Sequence, residues 1–100
     1  MPRSLQYIED KAFFMCKKLE RVELNDGLRT IGKSCFEGTA IRQIRISQDV
    51  KILEQRLFAD CNKLTSVTLM NGLEKISEAC FINSGLTNIT IPHTVNVIEN

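Results

Sequence analysis

The chain has 100 residues, 43% of them hydrophobic and 25% charged, with a formal net charge of +1. That length bounds one domain of ordinary globular composition. The near-neutral balance leaves no electrostatic footprint for nucleic acid or an anionic membrane surface. No apolar run approaches the ~18 residues of a membrane span, and Met1-Pro2-Arg3-Ser4 leads into no apolar core of a signal peptide.

In chain order, the first ten residues already state the theme of the last ten. Met1, Pro2, Leu5 and Ile8 align with Ile91, Pro92, Val95 and Ile98. Between them one phrase occurs four times. Phe stands at 13, 36, 58 and 81; Leu or Ile follows at 19, 41, 64 and 86. A β-branched residue comes next at 22, 44, 67 and 89, then an aliphatic at 24, 46, 69 and 91. The pairs Leu28/Ile31, Val50/Leu53, Leu73/Ile76 and Val95/Ile98 close the units.

Phe-to-Phe spacing runs 23, 22, 23, because the spare residue always falls between Phe and the next aliphatic. The period is therefore a 45-residue double repeat, and self-similarity at this length signals a solenoid. About four units of 22 or 23 residues fill residues 1–100.

Each unit predicts the same local structure. Val22–Leu24, Ile44–Ile46, Val67–Leu69 and Ile89–Ile91 alternate and are rich in β-branched residues, so they are expected as short strands. Turn chemistry follows at Asn25-Asp26-Gly27, Ser47-Gln48-Asp49, Asn71-Gly72 and Pro92-His93. The next segment, such as Leu28–Ile31, is expected to be extended or a second short strand. Lys33–Glu37 and its copies are expected to form a turn or two of α or 3₁₀ helix that points Phe inward. One unit cannot bury its own apolar side, but stacked units can, with equivalent strands in parallel and the Phe column as a spine.

Cys16, Cys35, Cys61 and Cys80 make no CxxC and no Cys/His cluster. Cys16 and Cys61 share one slot of the repeat, as do Cys35 and Cys80. Stacking at ~4.8 Å per strand separates such slots beyond the ~7 Å reach of a disulfide. All four are expected as buried thiols packing as small hydrophobes.

The order Leu64-Thr65-Ser66-Val67-Thr68-Leu69, Leu73-Glu74-Lys75-Ile76, Ala79-Cys80-Phe81 resembles the BspA-like leucine-rich repeat. So does Leu86-Thr87-Asn88-Ile89-Thr90-Ile91-Pro92 followed by Val95 and Ile98. The resemblance spans the whole chain. It departs where Leu57 replaces the small residue before Phe, and where Leu24-Asn25, Ile46-Ser47 and Leu69-Met70 replace Ile-Pro. It implies an α/β repeat fold: a right-handed leucine-rich-repeat solenoid with a parallel sheet on its concave face and short helical turns and loops opposite. It also implies a protein-binding role, with adhesion at the surface of bacteria and protists as the family's theme and an intracellular scaffold as the alternative. No catalytic residue and no cofactor belongs to the repeat. The family's usual flanking regions suggest an excerpt of a longer array.

The candidate protein-binding face consists of the outward strand residues: Arg21, Glu23, Gln43, Arg45, Ser66, Thr68, Met70, Asn88 and Thr90. A solvated sheet face is the competing reading. Glu23 and Arg45 are expected as a weak ion pair across adjacent strands. Asn25, Ser47 and Pro92 complete a third outward column with Met70. Arg21, Arg29, Arg42 and Arg45 are interspersed with Glu20, Glu23 and Glu37, so they read as solvated charge. His93 lacks a second His or a clustered acid and reads as a surface residue. Asn88-Ile89-Thr90 is a glycosylation sequon on a predicted strand and reads as a chance match. Nucleophile and phosphate-loop motifs are absent. The two ends, Met1–Arg3 and Val95–Asn100, are expected to border apolar layers open to end-to-end self-association.

Overall fold

The computed structural model describes residues 5–99, so the expectation for Met1–Arg3 lies outside the described residues. Seven short strands follow in order: β1 (Tyr7–Ile8), β2 (Thr30–Ile31), β3 (Gln43–Arg45), β4 (Ile52–Leu53), β5 (Ser66–Thr68), β6 (Lys75–Ile76) and β7 (Val97–Ile98). Every pairing is parallel and joins equivalent positions of successive units: Ile8 with Ile31, Ile44 with Val67, Leu53 with Ile76, and Ile76 with Ile98. Alternation explains the register. In β3 and β5 the central Ile44 and Val67 are buried while their neighbours face out, and a slip of one residue would reverse this.

The second strand of each unit, left open between extended and strand, is the regular one. It forms in all five copies, at β1, β2, β4, β6 and β7. The first forms only at β3 and β5, each beginning one residue earlier than expected. Residues 22–24 and 89–91 carry no strand. These two segments lie in the first and last units. The second-strand column is interrupted between β2 and β4, which do not pair, whereas the second and third units are joined twice, by β3–β5 and by β4–β6.

The expected helical turns are absent among the described residues, and the hydrogen bonds show why. Around Phe36, alternate N–H groups stay within the turn: Cys35 to Gly32, Glu37 to Ser34, Thr39 to Phe36. The intervening ones cross to the next unit: Ser34 to Gln55, Phe36 to Leu57, Gly38 to Ala59. A helix would consume every N–H internally. The segment instead winds as tight turns with left-handed residues four apart, at Ser34 and Gly38, Arg56 and Asp60, Ala79 and Asn83. This path frees half its donors to bind the stack together.

The Phe column forms the expected spine. Rings of Phe13, Phe36, Phe58 and Phe81 stack nearly parallel, with centroids 5.6–5.8 Å apart, an offset arrangement that aromatic pairs favour. Phe36 and Phe58 are fully buried; Phe13 and Phe81 are half-buried. Around the spine pack Leu28, Ile31, Ile41, Leu53, Leu64 and Leu73.

Three of the four cysteines are buried free thiols, but Cys16 is exposed. The slot is covered by the preceding turn: Cys61 Sγ donates to Phe36 O at 3.0 Å and lies 3.5 Å from Thr39 Oγ1. Cys16 belongs to the first described unit and meets no such turn. Burial pushes the Cys35 thiol up to about 11 and Cys80 up to about 12; burial raises Cys61 also. Since the thiolate is the nucleophile, an alkylating reagent at neutral pH is expected to modify one thiol of the native protein at Cys16. It should modify all four only in denaturant, as read by intact mass.

Candidate protein-binding face

The residues expected on one face come from three segments. Strands β3 and β5 turn Gln43, Arg45, Ser66 and Thr68 outward, all exposed, because Ile44 and Val67 take the core side. Arg21 and Glu23 are exposed on the irregular segment before them. Since that segment does not pair with β3, a groove of about 520 Å³ opens between the two. Arg21, Glu23, Gln43, Arg45, Ser66 and Thr68 line it, with Val22, Leu24 and Ile44 contributing the apolar part. Six of the nine expected residues therefore meet around one concavity. Met70 is half-buried beyond β5, and Asn88 and Thr90 are exposed outside the groove.

Two expectations about this face are corrected. Arg45 does not pair with Glu23; its guanidinium lies 3.6 Å from Asp26, with both side chains more than half exposed. The missing ladder leaves Glu23 without a fixed place opposite Arg45, while Asp26 sits on the turn that β3 passes. An exposed pair of this kind contributes little to stability. Nor do three of the four residues of the third column face out. Asn25 and Ser47 are buried: Asn25 Nδ2 donates to Leu5 O at 2.7 Å and Ser47 Oγ to Asn25 O at 2.8 Å. Pro92 in the same column is buried as well. These polar side chains tie the turns of successive units together from inside.

A second charged group, not anticipated from the sequence, occupies the turn side. Arg56 grips the nearly buried Glu37 with two bonds, Nε to Oε1 at 3.2 Å and a second guanidinium nitrogen to Oε2 at 2.9 Å; Asp60 lies 3.6 Å away. Only the Arg56/Asp60 spacing of four could have hinted at it; Glu37 belongs to the previous unit. The bond from Arg56 holds the Glu37 carboxyl below its ordinary value of 4.5. A lowered acid stabilises the fold above its ordinary value and loses that contribution as pH falls through the lowered one. On acidification below pH 4.5 the wild type is expected to lose more of its melting temperature than Glu37→Gln does. Thermal melts from pH 7 to pH 3 measure the difference.

Among the described residues no group of three or more His, Cys, Asp or Glu gathers to hold a metal ion, and no helix is long and apolar enough to cross a membrane. His93 is exposed.

Parallel strands in register from unit to unit, a stacked aromatic spine and a polar strand face define a repeat protein whose displayed surface is built by repetition. The chain belongs to the BspA-type leucine-rich repeat family: the profile of the BspA type leucine rich repeat region matches residues 1–100 in six copies. Comparison with curated proteins and with solved structures gives no match. The family's repeat is a protein–protein interaction module and is generally non-enzymatic.

Proposed function

We propose that the chain is one solenoid domain that binds a partner protein through the concave face around Arg21, Glu23, Gln43, Arg45, Ser66 and Thr68, as part of a cell-surface adhesion or recognition protein. Met70, Asn88 and Thr90 extend that surface. The observation that carries the reading is the groove beside β3, where an unpaired strand edge, an apolar floor and both signs of charge come together. Repeat proteins use such faces for protein recognition, and a mixed rim sets register and specificity more than raw affinity. A second reading, an intracellular scaffold using the same face, draws support from the exposed free thiol of Cys16, which is better preserved in a reducing compartment.

The test is capture from separate surface and cytosolic fractions by the wild type and by a variant with Arg21, Gln43, Arg45 and Thr68 all changed to Ala. These side chains are exposed, so the variant keeps its melting temperature. Loss of a specific surface protein from the variant supports the first reading, and loss of a cytosolic one the second. Undiminished capture rejects the face.

A further inference from the structure

Among the described residues the column of second strands closes in one way at every join but one. Two adjacent N–H groups converge on a single carbonyl: Arg29 and Thr30 on Gln6 O, Glu74 and Lys75 on Lys51 O, Asn96 and Val97 on Glu74 O. A third bond follows two residues on, from Gly32 to Ile8 O, Ser77 to Leu53 O and Glu99 to Ile76 O. Between β2 and β4, which do not pair, the counterparts are Lys51 and Ile52 to Arg29 O and Glu54 to Ile31 O, and none of the three forms. A cavity of about 390 Å³ lies there, lined by Arg29, Thr30, Asp49, Lys51, Ile52 and Glu54. This open seam is interior to the stack, with a paired strand beyond it on each side.

The side chains account for the opening. Arg29 and Lys51 hold the same position of the repeat, two residues before the buried Ile31 and Leu53, so the register sets them opposite each other. At the other joins this position matches Gln6 with Arg29, Lys51 with Glu74 and Glu74 with Asn96; only here do like charges meet. Like charges directly opposite are destabilising. Neither cation has an ion pair among the described residues. Asp49 and Glu54 line the same cavity but bound the pair along the chain, before and after Lys51.

We infer that this seam is a second interaction surface, which takes an extended, acidic segment of a partner protein. A Glu or Asp side chain of the segment enters between Arg29 and Lys51 and neutralises both, through charge-assisted bonds stronger than neutral ones. Its carboxylate also accepts from the N–H groups of Lys51 and Ile52, two adjacent donors that no carbonyl takes. The carbonyls of Arg29 and Ile31, open for the same reason, need donors. A free anion has none to give, whereas a peptide backbone supplies them, as in strand addition. Asp49 and Glu54 repel a polyanion and favour a segment whose acid is flanked by basic residues. The surface shares no residue with the groove beside β3, so it stands whether or not that groove binds a protein.

The test follows the protein's amide resonances as a capped peptide, Lys-Val-Glu-Val-Lys, is added to about 10 mM. The amides of Lys51, Ile52 and Glu54 should shift and saturate. The same peptide with Gln in place of Glu should bind about tenfold more weakly. Arg29→Ala should weaken binding of the Glu peptide and leave that of the Gln peptide unchanged. Arg29→Glu sets opposite charges across the seam and should close it. Without peptide, exchange of the same three amides with solvent then slows about tenfold or more, and the Glu peptide no longer binds. The inference is overturned if the three wild-type amides already exchange as slowly as their counterparts at Glu74, Lys75 and Ser77. It is overturned equally by no shift, by equal affinity for the two peptides, by shifts that acetate alone reproduces, or by shifts confined to the residues around β3. Arg29 is exposed, and the wild-type exchange rates and titrations stand whatever a variant does.

Discussion

Phe36→Ala and Phe58→Ala are each expected to lower the unfolding free energy by about 3–5 kcal/mol, the usual cost of removing a buried phenyl ring. Both rings are fully buried, and each is stacked between two others, so its loss opens a void in the middle of the spine. Relaxation into that void is limited, because the turn carrying each ring is held from both sides by inter-unit bonds. Phe36 N–H donates to Leu57 O while Cys35 O accepts from Phe13. Small domains are stable by roughly 5–15 kcal/mol, so either change should leave the protein near its unfolding midpoint at room temperature. Phe13→Ala provides the internal comparison: that ring is half-buried and has one stacked neighbour, and its truncation should cost clearly less. Urea titrations of the three variants give the ordering. An unchanged midpoint for Phe36→Ala would refute the spine as the centre of the core.

The spine was legible in the sequence because a four-fold repetition of one bulky residue at fixed spacing has few other physical explanations. The same holds for the inward aliphatic columns, which the structure buries or half-buries except at Ile91 and Ile98 in the last unit. What was not legible depends on the neighbouring unit, not on the residue itself. Cys16 and Cys61 occupy the same slot with the same flanking pattern, yet one is exposed and one buried according to whether a turn precedes it. The path around Phe reads as helix by composition, but tight turns win because they release alternate N–H groups to the next layer.

The candidate face was legible only in part, for a related reason. Outward positions of β3 and β5 follow from alternation, so Gln43, Arg45, Ser66 and Thr68 were found by pattern alone. The groove beside them was not, since it exists because residues 22–24 fail to complete a ladder that the sequence supports equally at every unit. Arg45 illustrates the consequence, turning to Asp26 in place of the strand neighbour that periodicity assigned to it. Polarity misled at Asn25 and Ser47, which look like surface turn residues. They are buried because their side chains bond the turns of adjacent layers.

Gly32→Val is expected to destabilise the protein by about 1–3 kcal/mol through overpacking, and to do so unevenly along the stack. A Cβ at Gly32 would come within 2.3 Å of the backbone N of Asp10 and 2.5 Å of the backbone carbon of Glu9. No rotamer change relieves a clash with main chain. Equivalent positions in other units hold Glu9, Glu54 and Ser77, so the slot does not require glycine in general; the requirement arises where the first turn closes on the second. That closure is a tight one: Gly32 N–H donates to Ile8 O at 2.8 Å and Lys33 N–H to Asp10 Oδ1 at 2.8 Å. A side chain at 32 pushes the two apart and breaks both bonds together with the β1–β2 pairing. Residues 5–16 should therefore lose amide protection in hydrogen exchange while the turns around Phe58 and Phe81 keep theirs, because those units are bonded to each other independently of the first. Gly32→Ala should show the same pattern at smaller amplitude. Uniform loss of protection along the chain would mean that the stack unfolds only as a whole, and that the close approach at Gly32 does not act locally.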